Sequence, residues 1–390
     1  MSRSVLSLLF LVAGLPAVAA EPAGPRPVDV SAPDGTKLKA TYYAAAKPGP
    51  GVLLLHMCNS NRKAWEPVGR QLSAAGIHAL ALDYRGYGES GGERFENDGQ
   101  KQRQVVTEKW PGDVDAAFAA LLGQPGVDPK RIGAGGGSCG VDEAIQLARR
   151  HPEVGSLVLL AGGTNRQGRE FLQRTRWLPV FAAAAADDQY DADALRSMQW
   201  LADLSGNPRN KFVGFPDGRH GTEIFEPHPE LPRQIVEWYV DTLVKAPADS
   251  KAAVAPRRTP TSEFWAVLDA PGGVGKAVQM FRDARQRDPK AYLFPEGIMN
   301  QVAYERMQSG QAQDAIELFK LNTEAYPSSA NTYDSLGDGY LAAGQNELAL
   351  QATQKCLELL PADKIGEEAK KLIRQSSEQK LAKLKPAPAK

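Results

Sequence analysis

Residues 131–140 read RIGAGGGSCG, a short apolar stretch that runs into glycines and then into Ser138. Gly136 and Gly140 each lie two residues from Ser138, and glycine at these positions lets the backbone turn sharply and press against its neighbours. Apolar residues then recur at helical spacing until Pro152 stops the pattern. Strand, tight turn, serine and helix in this order are typical of a nucleophile elbow, which presents the serine oxygen at the top of a sheet, close to a helix N-terminus.

A base for such a serine is expected later in the chain, because the order in this arrangement is nucleophile, acid, histidine. The chain has five histidines, at positions 56, 78, 151, 220 and 228. His220 follows a strand-like segment and a turn, so it is predicted to lie in a loop where an imidazole can take up a hydroxyl proton and return it to a leaving group. His228, which stands between two prolines, is the alternative base.

The acid is expected at the end of a strand between Ser138 and His220. Residues 178–186 are mostly apolar and end at a pair of aspartates. A carboxylate there can hold the imidazole in the required tautomer and stabilise its charged form. The sequence favours Asp188. The alternatives are Asp187, Asp191 and Asp193.

The second part of an oxyanion hole is expected after an earlier strand. Residues 51–56 form an apolar run typical of a strand buried on both faces, and Met57 and Cys58 follow directly. The backbone N–H of Cys58 or Met57, together with that of Cys139, is predicted to bind the oxygen of a tetrahedral intermediate.

Two cysteines placed in this way bring their Cα atoms within the separation of about 4.4–6.8 Å that a disulfide needs. A bridge between Cys58 and Cys139 and a pair of free thiols are both open alternatives. Cys356 would be left over as an unpaired cysteine.

Five landmarks in chain order resemble α/β-hydrolases, most closely the compact serine members near dienelactone hydrolases and small carboxylesterases. They are residues 56–58 (HMC), 82–90 (LDYRGYGES), 136–140 (GGSCG), Asp188 and 220–221 (HG). The resemblance covers about residues 27–245. It implies a triad of Ser138, Asp188 and His220 that cleaves an ester or related acyl bond through an acyl-enzyme, with no cofactor and no metal. Dienelactone hydrolases proper carry a cysteine nucleophile, so Cys139 is a less favoured alternative nucleophile.

The order of elements predicts an α/β fold with a doubly wound, mostly parallel sheet of eight strands, within a hydrolase domain at residues 21–245. Residues 27–44 read as a hairpin. The other segments are strands at 51–56, 77–83, 131–135, 156–161, 178–184 and 211–215, and helices near 65–75, 112–122, 140–150 and 230–244. Residues 91–111, polar and glycine-containing, are the candidate lid.

The N-terminus and the composition indicate the compartment. Residues 1–20 have Arg3, an apolar stretch and then small residues, typical of a secretory signal peptide cleaved after Ala19 or Ala20. The mature chain is therefore expected in the periplasm or outside the cell, with no membrane span. A net charge of zero, with interspersed charges, gives no reason to expect a nucleic-acid partner.

The last third of the chain has a different pattern. Residues 246–261, rich in Pro, Ala, Lys and Arg, are predicted to be a linker, and residues 378–390 a disordered tail. Between them, residues 262–377 resemble tetratricopeptide repeats, which predicts an all-α helical-repeat domain for a protein partner or self-association. The residues that carry this pattern are Tyr333, Leu336, Gly337, Tyr340, Ala349 and Pro361, then Ala315, Phe319 and Pro327 in an earlier copy, and Ala277, Phe281 and Pro289 in a partial one.

Two functions of different classes follow from these features. The first is a secreted serine hydrolase with a small acyl substrate; the second is a partner-binding scaffold that retains the fold without catalysis. The intact order of Ser138, Asp188 and His220 favours the first. Because every candidate catalytic residue precedes the linker, turnover of a small soluble ester is expected not to need the repeats.

Overall fold

The structure is a computed structural model that describes residues 24–94, 99–191, 193–245 and 258–384. The predicted signal peptide, residues 1–20, lies outside these ranges, as do residues 246–257 of the predicted linker. The described chain has two parts: the sheet domain, residues 26–245, and the helical region, residues 260–384.

Within the described residues, eight strands form one sheet in the order β1-β2-β4-β3-β5-β6-β7-β8. β1 is antiparallel to β2, β2 is antiparallel to β4, and all other neighbours are parallel. The predicted eight-stranded, mostly parallel sheet is confirmed. The strands are β1 Arg26–Ser31, β2 Lys37–Tyr43, β3 Gly49–Leu55, β4 His78–Leu82, β5 Val127–Gly137, β6 Val154–Leu160, β7 Val180–Ala185 and β8 Lys211–Phe215.

Helices cover both faces of the sheet, because the parallel strands are apolar on both sides. In β3, Val52 and Leu54 join one core with α1 and α7, whereas Leu53 and Leu55 join the other with α3, α4 and α6. These helices are α1 Glu66–Ala74, α2 Gly99–Glu108, α3 Trp110–Leu122, α4 Cys139–Arg150, α5 Arg166–Arg174, α6 Ala194–Asp203 and α7 Glu230–Tyr239. No helix of the described chain is long and apolar enough to cross a membrane.

Within the described residues, most of the candidate lid at residues 91–111 is helical. Helix α2 occupies Gly99–Glu108 and α3 begins at Trp110. Trp110 is buried and stacks on Tyr84, with ring centroids 4.0 Å apart. The packing of Trp110 therefore anchors the end of this segment to the core below it.

In the described part of the chain, seven α-helices follow the sheet domain, and four of them have regular spacing. α12 begins at Ala330, 34 residues after the first residue of α10, and α13 begins 34 residues after α11. Gly310 and Gly344 end the first helix of each pair with positive φ, which glycine adopts without strain. The helices are α8 Pro260–Leu268, α9 Val274–Arg287, α10 Glu296–Gln308, α11 Ala312–Ala325, α12 Ala330–Ala342, α13 Asn346–Leu359 and α14 Glu367–Leu384.

The predicted disordered tail is wrong for its first residues, because α14 continues through Leu384. Lys380 is buried, and its ammonium donates to the carbonyl oxygen of Asp334 at 2.7 Å. Ser377, one turn earlier, donates to the carboxylate of Asp334 at 2.6 Å. These long-range contacts hold a lysine-rich helix against α12, and residues 385–390 lie outside the described chain.

The helical region packs on α5 and α6 of the sheet domain. Trp265 and Trp200 meet edge to face with centroids 5.0 Å apart, and both rings are buried. Arg169 of α5 pairs with Glu305 of α10 at 2.9 Å. The helical region and one face of the sheet therefore share a continuous apolar core.

Candidate active site

Ser138 lies at the turn between β5 and α4, with φ 53° and ψ −120°. A positive φ is strained for a non-glycine residue, and it persists only where the surrounding structure enforces it. The flanking glycines make this turn sterically feasible. A Cβ at Gly140 would lie 2.5 Å from the carbonyl oxygen of Leu55, and one at Gly136 would collide with the backbone of Gly140.

His220 and Asp188 are joined by a hydrogen bond of 2.7 Å from Nδ1 to the carboxylate. A carboxylate can only accept, so Nδ1 carries the hydrogen and Nε2 is the nitrogen that can take up a proton. The other oxygen of Asp188 accepts the backbone N–H groups of Tyr190 and Asp191, at 2.8 and 3.1 Å. The buried carboxylate is therefore fixed in orientation and holds the imidazole in turn.

The other residues that the sequence offered for these roles lie elsewhere. Asp187 accepts the backbone N–H of Arg219 at 2.8 Å, and His228 lies 2.7 Å from the carboxylate of Asp217. Asp193 is 3.2 Å from the hydroxyl of a tyrosine in the helical region. Asp188 is thus the aspartate that the structure brings to His220.

The loop that carries His220 packs against the serine turn. An added Cβ at Gly137 would lie 3.5 Å from the methyl group of Thr222, and one at Gly221 would collide with the side chain of Met57. Both glycines are neighbours of candidate catalytic residues. Their close packing brings the loop after β8, the turn after β5 and the segment after β3 together at the carboxyl edge of the sheet.

The segment after β3 is tied to α4 by a disulfide between Cys58 and Cys139, whose Cα atoms are 5.7 Å apart. Of the two alternatives left open by the sequence, the structure has the bridge. Cys356 is a free, buried cysteine. Because the sulfur of Cys139 is bonded to that of Cys58, residue 139 has no thiolate to act as the alternative nucleophile.

His56 has a structural role that the sequence analysis did not assign. Its Nε2 accepts the backbone N–H of Tyr84 at 3.1 Å, so Nδ1 carries the hydrogen and donates to the carbonyl oxygen of Met57 at 2.6 Å. Burial lowers the pKa of His56 to about 4, which keeps it neutral. The bond to Met57 fixes the peptide whose opposite end is the N–H of Cys58.

Residues 38–224 match the dienelactone hydrolase family. The matched segment is just under half of the chain. The match supports a hydrolase, and it agrees with the fold, the serine turn and the order of strands described above.

Two kinds of relatives are similar to parts of the chain. An uncharacterized protein of Mycobacterium tuberculosis is 36% identical over 141 residues, 35% of this chain and 45% of that protein. Thiohydrolase aneE of Aspergillus aculeatus is 33% identical over 116 residues, 30% of this chain and 34% of that protein. The matched segment thus spans less than half the length of these curated relatives.

Among solved structures, esterase Pf2001 of Pyrococcus furiosus is 20% identical with a TM-score of 0.45, covering 56% of this chain and 91% of that one. A dienelactone hydrolase-like promiscuous phosphotriesterase from metagenomic libraries is 18% identical with a TM-score of 0.43. The match covers 55% of this chain and 99% of that one.

A cavity of about 410 Å³ lies beside His220 and Asp188. The sheet domain contributes the loop 161–163 and residues of α6, and the helical region contributes Ile298 and Ile365 among others. No sequence motif marks these residues, because they are brought together by the packing of the helices and not by a fixed spacing along the chain. The sequence placed every site residue before the linker, whereas the structure adds a wall from beyond it.

Proposed function

We propose that this protein is a serine hydrolase that cleaves an ester or related acyl bond through Ser138, Asp188 and His220. The observation that carries the proposal is the 2.7 Å bond between His220 and Asp188, in a loop packed against the strained turn of Ser138. The dienelactone hydrolase family match supports the reaction class.

The proposed reaction begins with attack of Ser138 Oγ on the acyl carbon while His220 Nε2 takes the hydroxyl proton. Asp188 stabilises the imidazolium that forms. The oxygen of the tetrahedral intermediate accepts hydrogen bonds from the backbone N–H groups of Cys139 and of Cys58 or Met57. His220 then donates its proton to the leaving group, which departs and leaves the acyl-enzyme. Water attacks the acyl carbon while His220 takes its proton, and His220 returns that proton to Ser138 Oγ as the acid is released.

The backbone around the oxyanion hole supports this assignment. Cys139 is the first residue of α4, where helical N–H groups have no acceptor within the helix. The disulfide and the bond from His56 to Met57 hold the second donor segment beside it. Donors fixed in advance lose little free energy to reorganisation when negative charge develops on the substrate oxygen.

The test is covalent labelling with a fluorophosphonate probe, followed by peptide mapping. We expect labelling at Ser138, loss of labelling in Ser138→Ala, and wild-type labelling in the matched control Ser31→Ala, since Ser31 is exposed on β1. Labelling that does not depend on Ser138 would rule out Ser138 as the nucleophile, and the absence of any labelling would favour the partner-binding scaffold. A panel of p-nitrophenyl esters, a lactone and a peptide then identifies the substrate class.

We also propose that the mature chain is exported, in keeping with the signal-peptide pattern. The disulfide supports this, because disulfides persist in oxidising compartments and are rare in the cytosol of mesophiles. Cell fractionation and the mass of the mature N-terminal peptide test it, with cleavage expected after Ala19 or Ala20. A full-length chain confined to the cytosol would contradict export.

We further propose that residues 262–377 contain tetratricopeptide-like repeats. The spacing of 34 residues between α10 and α12 and between α11 and α13 supports this. A protein partner or self-association through this region stays a prediction. Analytical ultracentrifugation of the full chain tests self-association.

A further inference from the structure

We propose that the helical region completes the substrate cavity, and that its Ile298 and Ile365 select a neutral, apolar acyl group of medium length. The proposal rests on the serine-hydrolase function above and names the substrate class of the same site. It gives the helical region a role in specificity that is separate from any partner binding.

One short loop connects the cavity to the candidate nucleophile. A Cβ at Gly162 would collide with the carbonyl group of Ser138, and the backbone N–H of Gly162 lies 3.2 Å from Sδ of Met198, which lines the cavity. A Cβ at the next residue, Gly163, would lie 3.6 Å from Cδ1 of Ile298. Ser138 and Ile298 therefore contact neighbouring residues of the same loop, which places Ile298 where part of a bound substrate would lie.

The helical region is held firmly enough to serve as a cavity wall. Arg169 is 1% exposed and pairs with Glu305 across the interface. Trp200, which lines the cavity, packs at the same time against the fully buried Trp265 of the helical region. Separating the two parts would expose both rings and an unpaired guanidinium, so a closed arrangement is strongly favoured.

The apolar lining suits a hydrocarbon group of limited size. Ile298 and Ile365 of the helical region line the cavity together with Met198 and Trp200 of α6. The cavity volume of about 410 Å³ is toward the lower end of the range of about 300–1,000 Å³ that is typical of small-molecule sites. Because one methylene group can change selectivity by about tenfold or more, side-chain size at this wall should set the preferred chain length.

The charges of the lining disfavour an anionic group. Three acidic residues line the cavity in addition to Asp188, and they are Asp191, Asp193 and Glu296. Among the described lining residues there is no lysine or arginine; Arg196 approaches Asp193 at 3.8 Å with a largely exposed side chain. A second carboxylate on the acyl group would lose its hydration beside groups that cannot pair with it.

The test compares kcat/KM of the full-length protein on p-nitrophenyl acetate, valerate and octanoate, and on the mono-p-nitrophenyl ester of glutaric acid. Valerate and glutarate have the same chain length and differ in charge. We expect valerate to be preferred over glutarate by about tenfold. In Ile298→Trp, which fills the cavity, the octanoate-to-acetate ratio should fall by about tenfold, whereas in Ile365→Ala it should rise. Leu372→Ala is the matched control, because Leu372 is an exposed apolar residue of α14.

The outcomes separate this proposal from the proposed function. If esters are hydrolysed but Ile298→Trp and Ile365→Ala, with wild-type melting temperatures, keep the wild-type chain-length profile, the selection role is wrong. If glutarate is preferred, the assigned charge preference is wrong. If no ester is hydrolysed and Ser138 is not labelled, the proposed function fails. Calorimetry with octanamide then tests the cavity separately. Octanamide binding that is lost in Ile298→Trp supports the proposed cavity, and binding that is absent or unchanged overturns it.

Discussion

The turn that carries Ser138 and the loop that carries His220 meet at one edge of the sheet, so the two side chains are expected to act as a unit. Ser138→Ala should lower kcat by about four to six decades, and His220→Ala nearly as much, because the acyl-enzyme forms only when the serine attacks and the histidine takes its proton. The double variant should be no worse than either single one. His228→Ala should lower kcat only slightly, since His228 is hydrogen-bonded to Asp217 and not to Asp188. Steady-state kinetics on one ester decides, and a larger loss in His228→Ala than in His220→Ala would show that the base is misassigned.

Asp188 accepts a hydrogen bond from the imidazole of His220, whereas its neighbour Asp187 does not. Asp188→Asn should lower kcat by about 10⁴-fold while the protein stays folded, because an amide no longer fixes the reactive tautomer of His220. Asp187→Asn is the matched control and should change kcat by less than about threefold, since Asp187 only accepts a backbone N–H. Equal losses in the two variants would contradict the assignment of Asp188.

His56 predicts a pH dependence of stability. Burial lowers its folded-state pKa to about 4, below the ordinary value of 6.5. As the pH falls, His56 of the unfolded chain binds a proton near pH 6.5, whereas His56 of the folded chain binds one only near pH 4. The free energy of unfolding should therefore fall by roughly 3 kcal/mol as the pH drops from above 6.5 to about 4. Urea unfolding between pH 7.5 and 4 measures it. His56→Asn should lose this part of the pH dependence, and parallel curves for the two proteins would contradict the prediction.

At the scale of elements, the disulfide links the segment after β3 to the first residue of α4 and closes a loop of 81 residues. Chain-entropy arguments assign such a bridge a stabilisation of about 4 kcal/mol. Reduction should lower the melting temperature and also kcat, because both oxyanion donors lie beside the bridge. Cys356→Ser is the control and should respond to reduction as the wild type does. A reduced protein with wild-type kcat would exclude a role for the bridge in the oxyanion hole, and finding three alkylated cysteines in the unreduced protein would exclude the bridge itself.

At the scale of the whole molecule, the sheet domain and the helical region depend on each other. Glu305→Gln should lower the free energy of unfolding by about 2 kcal/mol, because it leaves the buried guanidinium of Arg169 without its carboxylate. Glu317→Gln is the matched control, since Glu317 pairs with a half-exposed lysine within α11, and it should cost less than about 0.5 kcal/mol. Chemical denaturation measures the free energy of unfolding of both variants. Equal losses would mean that the pair of Arg169 and Glu305 stabilises the protein no more than a surface ion pair does.

This interface also changes an expectation drawn from the order of residues along the chain. The sequence predicts that ester turnover does not need the repeats, because Ser138, Asp188 and His220 all precede the linker. The structure lines the cavity beside His220 with Ile298 and Ile365 of the helical region. Position along the chain therefore does not limit which residues surround the site.

The features that the sequence predicted are those coded by local patterns. Strand β5, the serine turn and α4 follow from an apolar run, glycines at fixed spacing and a helical period within about 20 residues. Helices α5 and α6, and the part of α14 after residue 377, were not predicted. They are polar or short, and they are stabilised by long-range contacts such as that between Lys380 and Asp334, which a local pattern does not encode.

The sequence by itself determined the α/β sheet, the serine turn and the candidate catalytic residues in their chain order, because backbone sterics and hydrophobic periodicity act over a few residues. Only the tertiary structure decided between Asp187 and Asp188, between a bridge and free thiols at Cys58 and Cys139, and which residues wall the cavity. Each of these depends on distances between side chains far apart along the chain. Those distances are set by how the helices and the sheet pack into one dense core, and packing of that kind is a property of the whole fold.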